Sequence, residues 1–261
     1  MKIEMNRIQH LIDDELSSSL TAPMAGVEVA VEPKSEADNT HCIFTPLHYE
    51  RNYAYPLIVW LHGPEDDEHQ ITRVMPLVSM RNYVGVGPRG TVPVGEASGA
   101  YGWSQSKTQI TLAEQRVMAA IAAARCWLNI EPSRIYLAGF DCGGTMALRL
   151  ALNQPDAYAG VLSIGGAFPT TLRPLGQLHA VRRLKIFLAT GRDSQMYPEA
   201  EVCRNLRLFH SAGMSVCLRQ YPCGDDLTTN MLSDMDRWIM EQLNASQSVP
   251  HDQPSPRSQG K

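Results

Sequence analysis

Pro56-Leu57-Ile58-Val59-Trp60-Leu61 is an unbroken apolar run, stopped by His62-Gly63-Pro64. A strand covered on one face alternates apolar and polar residues, whereas a run with no polar position suits a strand buried on both faces of a parallel sheet. Similar strand patterns recur at 83–87, 134–138, 158–164, 184–189 and 214–221. Helix patterns fall between them, at about 67–80, 111–128, from Cys142 or Gly143 to Asn153, 198–212 and 226–243. Pro198 and Gly213 bracket the fourth helix with the expected punctuation. This alternation predicts an α/β fold: a mainly parallel central sheet flanked by helices on both faces, in three layers. Two weaker strands precede it, the alternating Val27 to Val31 and the short Cys42-Ile43-Phe44. Ligands of such folds bind beyond the carboxyl ends of the strands. The loops after Leu61, Gly139 and Ala189, and the loop before the last helix, are therefore the places to look for chemistry.

A length of 261 residues suits one such domain. The expected organisation is a polar leader over 1–25, the α/β domain over 26–243, and a tail over 244–261 whose Ser, Gln and Pro content predicts disorder. A net charge of −4 gives no basic footprint, which argues against nucleic acid as a partner. No apolar run reaches the ~20 residues of a bilayer span, and the N-terminal stretch lacks a signal-peptide core, so a cytoplasmic protein is expected. Six cysteines with no CxxC pair are not a disulfide framework or a structural zinc site. Cys126, Cys203 and Cys217 are expected as small core residues. No cofactor and no metal are expected, while a small-molecule ligand or a protein partner is, with a homodimer left open.

The segment Gly139-Phe140-Asp141-Cys142-Gly143-Gly144 lies between a strand pattern and a helix pattern. Its glycines permit the sharp turn that lifts the middle residue above the sheet as a nucleophile elbow. A bland alternative has Asp141 simply capping the following helix. Three further stretches accompany it in order. They are the 56–63 strand with its His-Gly turn, the 187–198 loop (Phe-Leu-Ala-Thr-Gly-Arg-Asp-Ser-Gln-Met-Tyr-Pro), and the 220–227 loop (Gln-Tyr-Pro-Cys-Gly-Asp-Asp-Leu) ahead of a Trp238-containing last helix. With these four motifs the sequence resembles the carboxylesterase/phospholipase branch of the α/β hydrolases, which includes acyl-protein thioesterases and feruloyl- or polyester-depolymerase-like enzymes.

The resemblance implies a serine-triad esterase, and the chain departs from it at each catalytic position. Asp141 stands where the family has serine, Ser194 where it has the acid (with Asp193 one residue earlier), and Asp225 where it has histidine. Pro64 follows His62-Gly63 where the family uses a backbone N–H as oxyanion donor, and proline has none. An aspartate has no hydroxyl to activate, and an aspartate is a poor substitute for imidazole near pH 7. The expectation is therefore a degenerate hydrolase that binds a small molecule or protein around His62, Gly63, Pro64, Cys142, Gly143, Asp193, Cys223 and Asp226. A second reading keeps catalysis with Asp141 as nucleophile, as in haloalkane dehalogenases and some epoxide hydrolases, with His62 or His179 the only histidines near that edge. A third gathers Asp141, Asp225, Asp226 and Asp193 into a cation site; its bland counterpart has Asp225 and Asp226 capping the last helix. Cys142 sits at a helix N-terminus, which lowers a thiol's pKa, although its expected role is a small buried residue beneath the elbow. The 88–103 loop is expected as either a substrate lid or an ordinary long connection.

Overall fold

A computed structural model describes residues 40–95, 99–171 and 177–247. The expected leader, the Val27 to Val31 strand and the tail beyond 247 lie outside these residues. Seven strands form one sheet: β1 (His41–Phe44), β2 (Tyr55–Leu61), β3 (Val84–Pro88), β6 (Ile130–Phe140), β7 (Gly160–Ile164), β8 (Lys185–Gly191) and β9 (Ser215–Tyr221), in the order β1-β3-β2-β6-β7-β8-β9. Only β1 runs antiparallel to its neighbour. The helices are α1 (Gln70–Val78), α2 (Lys107–Trp127), α3 (Cys142–Asn153), α4 (Leu178–Val181), α5 (Glu199–Ala212) and α6 (Thr229–Gln247). Among the described residues, no helix is long and apolar enough to cross a membrane.

Pleating sorts the apolar runs onto two faces. Leu57, Val59 and Leu61 point into one core with the buried sides of α2, α3 and α5, while Ile58 and Trp60 point into the other with α1 and α6. Ile135 and Leu137 against Tyr136 and Ala138, and Ile186 and Leu188 against Phe187 and Ala189, repeat the division. The continuous apolar runs are thus two half-runs serving opposite layers. Helix α2 buries Ile110, Ala113, Val117, Ala120, Ile121 and Ala124, a single stripe at helical spacing. Cys126 lies off that stripe and is exposed, as is Cys203 on α5, so neither is the core residue expected; Cys217 is half-buried.

Three boundaries depart from expectation. Strand β6 begins at Ile130 rather than near 134, because the register with β2 breaks between Tyr55 and Leu57 and the irregularity absorbs Pro132, which has no ladder N–H to offer. Helix α6 runs on to Gln247, four residues into the stretch expected as tail; Asn244-Ala245-Ser246-Gln247 contains no breaker before Pro250. The 88–103 segment carries a small hairpin, β4 (Val92–Pro93) with β5 (Tyr101–Gly102), where a plain loop was expected.

Candidate active site

The elbow is built as expected. Asp141 has φ 49° and ψ −118°, a conformation L-residues rarely adopt, and its carbonyl begins helix α3 by accepting the Thr145 N–H at 2.9 Å. Its own N–H is donated to Ile164 on β7 at 2.8 Å. Holding a non-glycine residue in this region costs on the order of 1–3 kcal/mol. The turn is tight because Gly143 rests on the backbone of the His-Gly turn: a Cβ there would collide with the carbonyl oxygens of Leu61 and His62.

That turn is fully committed. His62 is completely buried; its Nε2 accepts the Gly90 N–H at 2.8 Å, so Nδ1 carries the proton and donates to the Gly63 carbonyl at 2.8 Å. Burial holds its pKa below the ordinary value, leaving a neutral imidazole with no free nitrogen. The Trp103 indole donates to the His62 carbonyl at 3.0 Å. On the other side Gln70 Oε1 accepts both the Trp60 indole N–H at 2.7 Å and the Gly63 N–H at 3.1 Å. His62 is a brace, not a base. Pro64 follows it, exposed and without a donor.

Asp225 occupies the histidine position and bonds to the residue at the acid position: the Ser194 hydroxyl donates to its Oδ1. The Gln195 N–H donates to Oδ2 at 3.0 Å and the Met196 N–H to Oδ1 at 3.3 Å, while Ser194 Oγ in turn accepts the Tyr197 N–H at 2.9 Å. The two loops are docked closely: Asp193 N–H donates to the Cys223 carbonyl at 3.0 Å and Arg192 N–H to the Tyr221 carbonyl at 2.8 Å. Here hydroxyl-to-carboxylate replaces the imidazole-to-carboxylate pair with donor and acceptor sides exchanged.

Several expectations are corrected by this geometry. Asp141 makes no side-chain capping bond to α3, because the elbow torsion turns it away from the extended backbone that capping residues adopt. Neither Asp225 nor Asp226 begins α6, which starts at Thr229; the Thr228 hydroxyl accepts the Met231 N–H at 3.4 Å instead. Asp193 is exposed and faces Arg192 Nε at 3.5 Å. Among the described residues the one group of three side chains close enough to share a cation is Asp67, Glu68 and His69, which includes none of Asp141, Asp193, Asp225 and Asp226, and Glu68 is already paired with Arg89. His179 lies exposed on α4, which leads into the start of β8 and so sits at the opposite edge of the sheet. The Cys142 thiol is pushed up to about 11, not down, because burial outweighs the helix terminus. It lines the pocket as well as touching the core. None of the six cysteines, Cys142 and Cys223 included, is in a disulfide.

A pocket of about 170 Å³ opens beside the elbow, lined by Trp103, Gln105, Asp141, Cys142, Thr145, Gly165, Ala167 and Met196. The Asp141 carboxyl is raised from its ordinary value, first by burial and then by the Asp225 charge; the Cys142 N–H pulls the other way. Of these, only Asp141 and Cys142 are singled out by the sequence; Trp103 and Met196 lie in loops that it marks as wholes, and Gln105, Thr145, Gly165 and Ala167 in no motif. Thr145 stands four residues after Asp141, one turn up the same helix face, and that spacing was an available signal. Trp103 ends a segment several of whose described residues are held by contacts: Gly90 is bonded to His62, the Arg116 guanidinium donates to the Arg89 carbonyl at 3.1 Å, and Arg89 lies over the Tyr101 ring at 5.2 Å.

A parallel sheet with helices on both faces and a strained strand-turn-helix elbow at its carboxyl edge defines an α/β hydrolase fold. The phospholipase/carboxylesterase family matches residues 48–243, and the chain belongs to that family. A curated relative, NocK of Nocardia uniformis subsp. tsuyamanensis, is 32% identical over 136 residues, 47% of this chain; the match spans 37% of NocK's own length. Among solved structures, SOBER1 of Arabidopsis thaliana aligns with a TM-score of 0.60 at 19% identity, covering 73% of this chain and 100% of that one. The Bacillus cereus carboxylesterase aligns with a TM-score of 0.60 at 16% identity, covering 77% and 93%. At these identities the structural likeness concerns the fold.

Proposed function

We propose that this chain is a catalytically degenerate member of its family that uses the elbow pocket to bind a small molecule. The observation that carries the reading is the state of Asp225. Its carboxylate accepts from the Ser194 hydroxyl and from two backbone N–H groups, so the position that must shuttle protons in a hydrolase is instead an acceptor tied to its neighbouring loop by three hydrogen bonds. Asp141 lacks a hydroxyl, His62 has no free nitrogen, and Pro64 offers no oxyanion N–H. One lost oxyanion donor alone is worth about 2.7–4 kcal/mol of barrier lowering. Purified full-length protein should turn over p-nitrophenyl acetate and butyrate no faster than buffer. Turnover that disappears in Asp141→Ala would overturn the reading.

A second reading, Asp141 as a nucleophile towards carbon, has one observation in its favour: the elbow strain is kept on a residue that could shed it by being glycine. In that cycle a carboxylate oxygen bonds to carbon as the leaving group departs with the electron pair. Among the described residues no imidazole stands beside the pocket to activate the water that must then cleave the ester. Incubation with haloalkanes or epoxides followed by intact-mass analysis should show no adduct on Asp141; an adduct would favour this reading over the first.

The raised Asp141 pKa has a stability consequence of definite sign. The folded state holds this proton more tightly than the unfolded chain does. Its contribution is therefore full below the ordinary value of 3.8 and is lost as pH rises through the folded-state value. Asp141→Asn, which keeps the shape without the charge, should match the wild-type melting temperature at acid pH and exceed it increasingly towards pH 7. Thermal denaturation of both proteins across that range checks this.

A further inference from the structure

We propose that the elbow pocket binds a small organic cation, a methylated ammonium in preference to a primary one. This rests on the binding reading above and names its ligand class. Among the described residues that line the pocket, Asp141 is the one carboxylic acid, and no lysine, arginine or histidine stands with it. The next charge felt by its carboxyl is Asp225, also an anion. Arg149, one turn beyond Thr145, is turned to other partners: its Nε donates to Gln105 Oε1 at 3.1 Å and its terminal nitrogens to Thr171.

The rest of the wall suits a cation with few N–H groups. Trp103 lines it, and indole is the side chain with the strongest cation–π attraction, while Met196, 65% exposed, adds a polarisable thioether. The Trp103 N–H is already spent on the His62 carbonyl. The Gln105 carbonyl oxygen is spent on Arg149. A primary ammonium would bring three donors to a wall whose remaining side-chain acceptors are the Asp141 carboxylate and the Thr145 hydroxyl, whereas a methylated ammonium brings mainly apolar surface. At about 170 Å³ the pocket is below the roughly 300–1,000 Å³ that drug-sized ligands occupy, which sets the scale at a head group. A bound cation would also offset the repulsion between Asp141 and Asp225.

Calorimetric titration of the full chain at pH 7 with choline, its uncharged carbon isostere 3,3-dimethylbutan-1-ol, the anion 3,3-dimethylbutanoate and ethanolamine tests this. Choline should bind about tenfold more tightly than the neutral isostere and than ethanolamine, and the anion should not bind. Asp141→Asn, expected to fold at least as well as the wild type, should erase the preference for choline over the isostere. Equal binding of choline and the alcohol, tighter binding of the anion, or no binding of any of the four would overturn the cation assignment. Equal binding would leave the pocket a binding site of another class. Hydrolysis of acetylcholine, by contrast, would overturn the degenerate reading and leave the cation assignment standing.

Discussion

Asp141→Ser alone should give no measurable ester hydrolysis, while Asp141→Ser combined with Asp225→His and Ser194→Asp should turn over p-nitrophenyl acetate above the wild type by roughly tenfold or more. The single change supplies a hydroxyl on a backbone already bent for it but leaves a carboxylate where the base must be. The existing bond between Ser194 and Asp225 shows that positions 194 and 225 face each other, so exchanging their chemistry should return an imidazole held by an acid. The gain will stop well short of a complete enzyme, because Pro64 still withholds one oxyanion donor, a deficit of about 10²–10³ in turnover. Steady-state assays on the three-position variant, with Asp225→His omitted as control, measure it. Activity in the single Asp141→Ser variant would mean that some other group serves as base.

Gly143→Ala should be the most destabilising small substitution in the elbow. Its Cβ would meet two backbone carbonyl oxygens, those of Leu61 and His62. Neither can swing aside as a side chain can, since Leu61 is in β2 and the His62 carbonyl holds the Trp103 indole. Overpacking of this kind costs on the order of 3 kcal/mol, which for a domain of this size is about 6–12 °C in melting temperature. The helical position would otherwise favour alanine over glycine, so an unchanged or higher melting temperature would show that the close approach is not real.

The layered fold was legible because both strand and helix signals are periodic and local. Continuous runs such as Pro56 to Leu61 signal two-sided burial whatever their partners. The elbow was legible for the same reason, as its glycines and flanking elements are contiguous. What could not be read were relations between distant segments. The resemblance set Asp225 and Ser194 at partnered positions, but local pattern offered only a helix cap or a cation ligand, because the bonds to Asp225 from Ser194 and from the N–H groups of Gln195 and Met196 span about thirty positions and depend on the docking of two loops. Asp193 could not be assigned a direction without that docking. Trp103 and Met196 line the same pocket from segments with no shared pattern. Cys142 shows a contest of magnitudes: the helix terminus favours the thiolate, burial opposes it, and burial is visible only in the folded chain.

The imidazole of His62 joins two segments through a bond that exists in only one protonation state. Its Nε2 receives the Gly90 N–H, and an imidazolium has no lone pair there to offer. The joint between the His62-Gly63 turn and Gly90 therefore behaves as a clasp that a proton unfastens. Because burial already disfavours the charged ring, the clasp stays shut around neutrality, and the turn on which the elbow rests keeps its hold on Gly90 there.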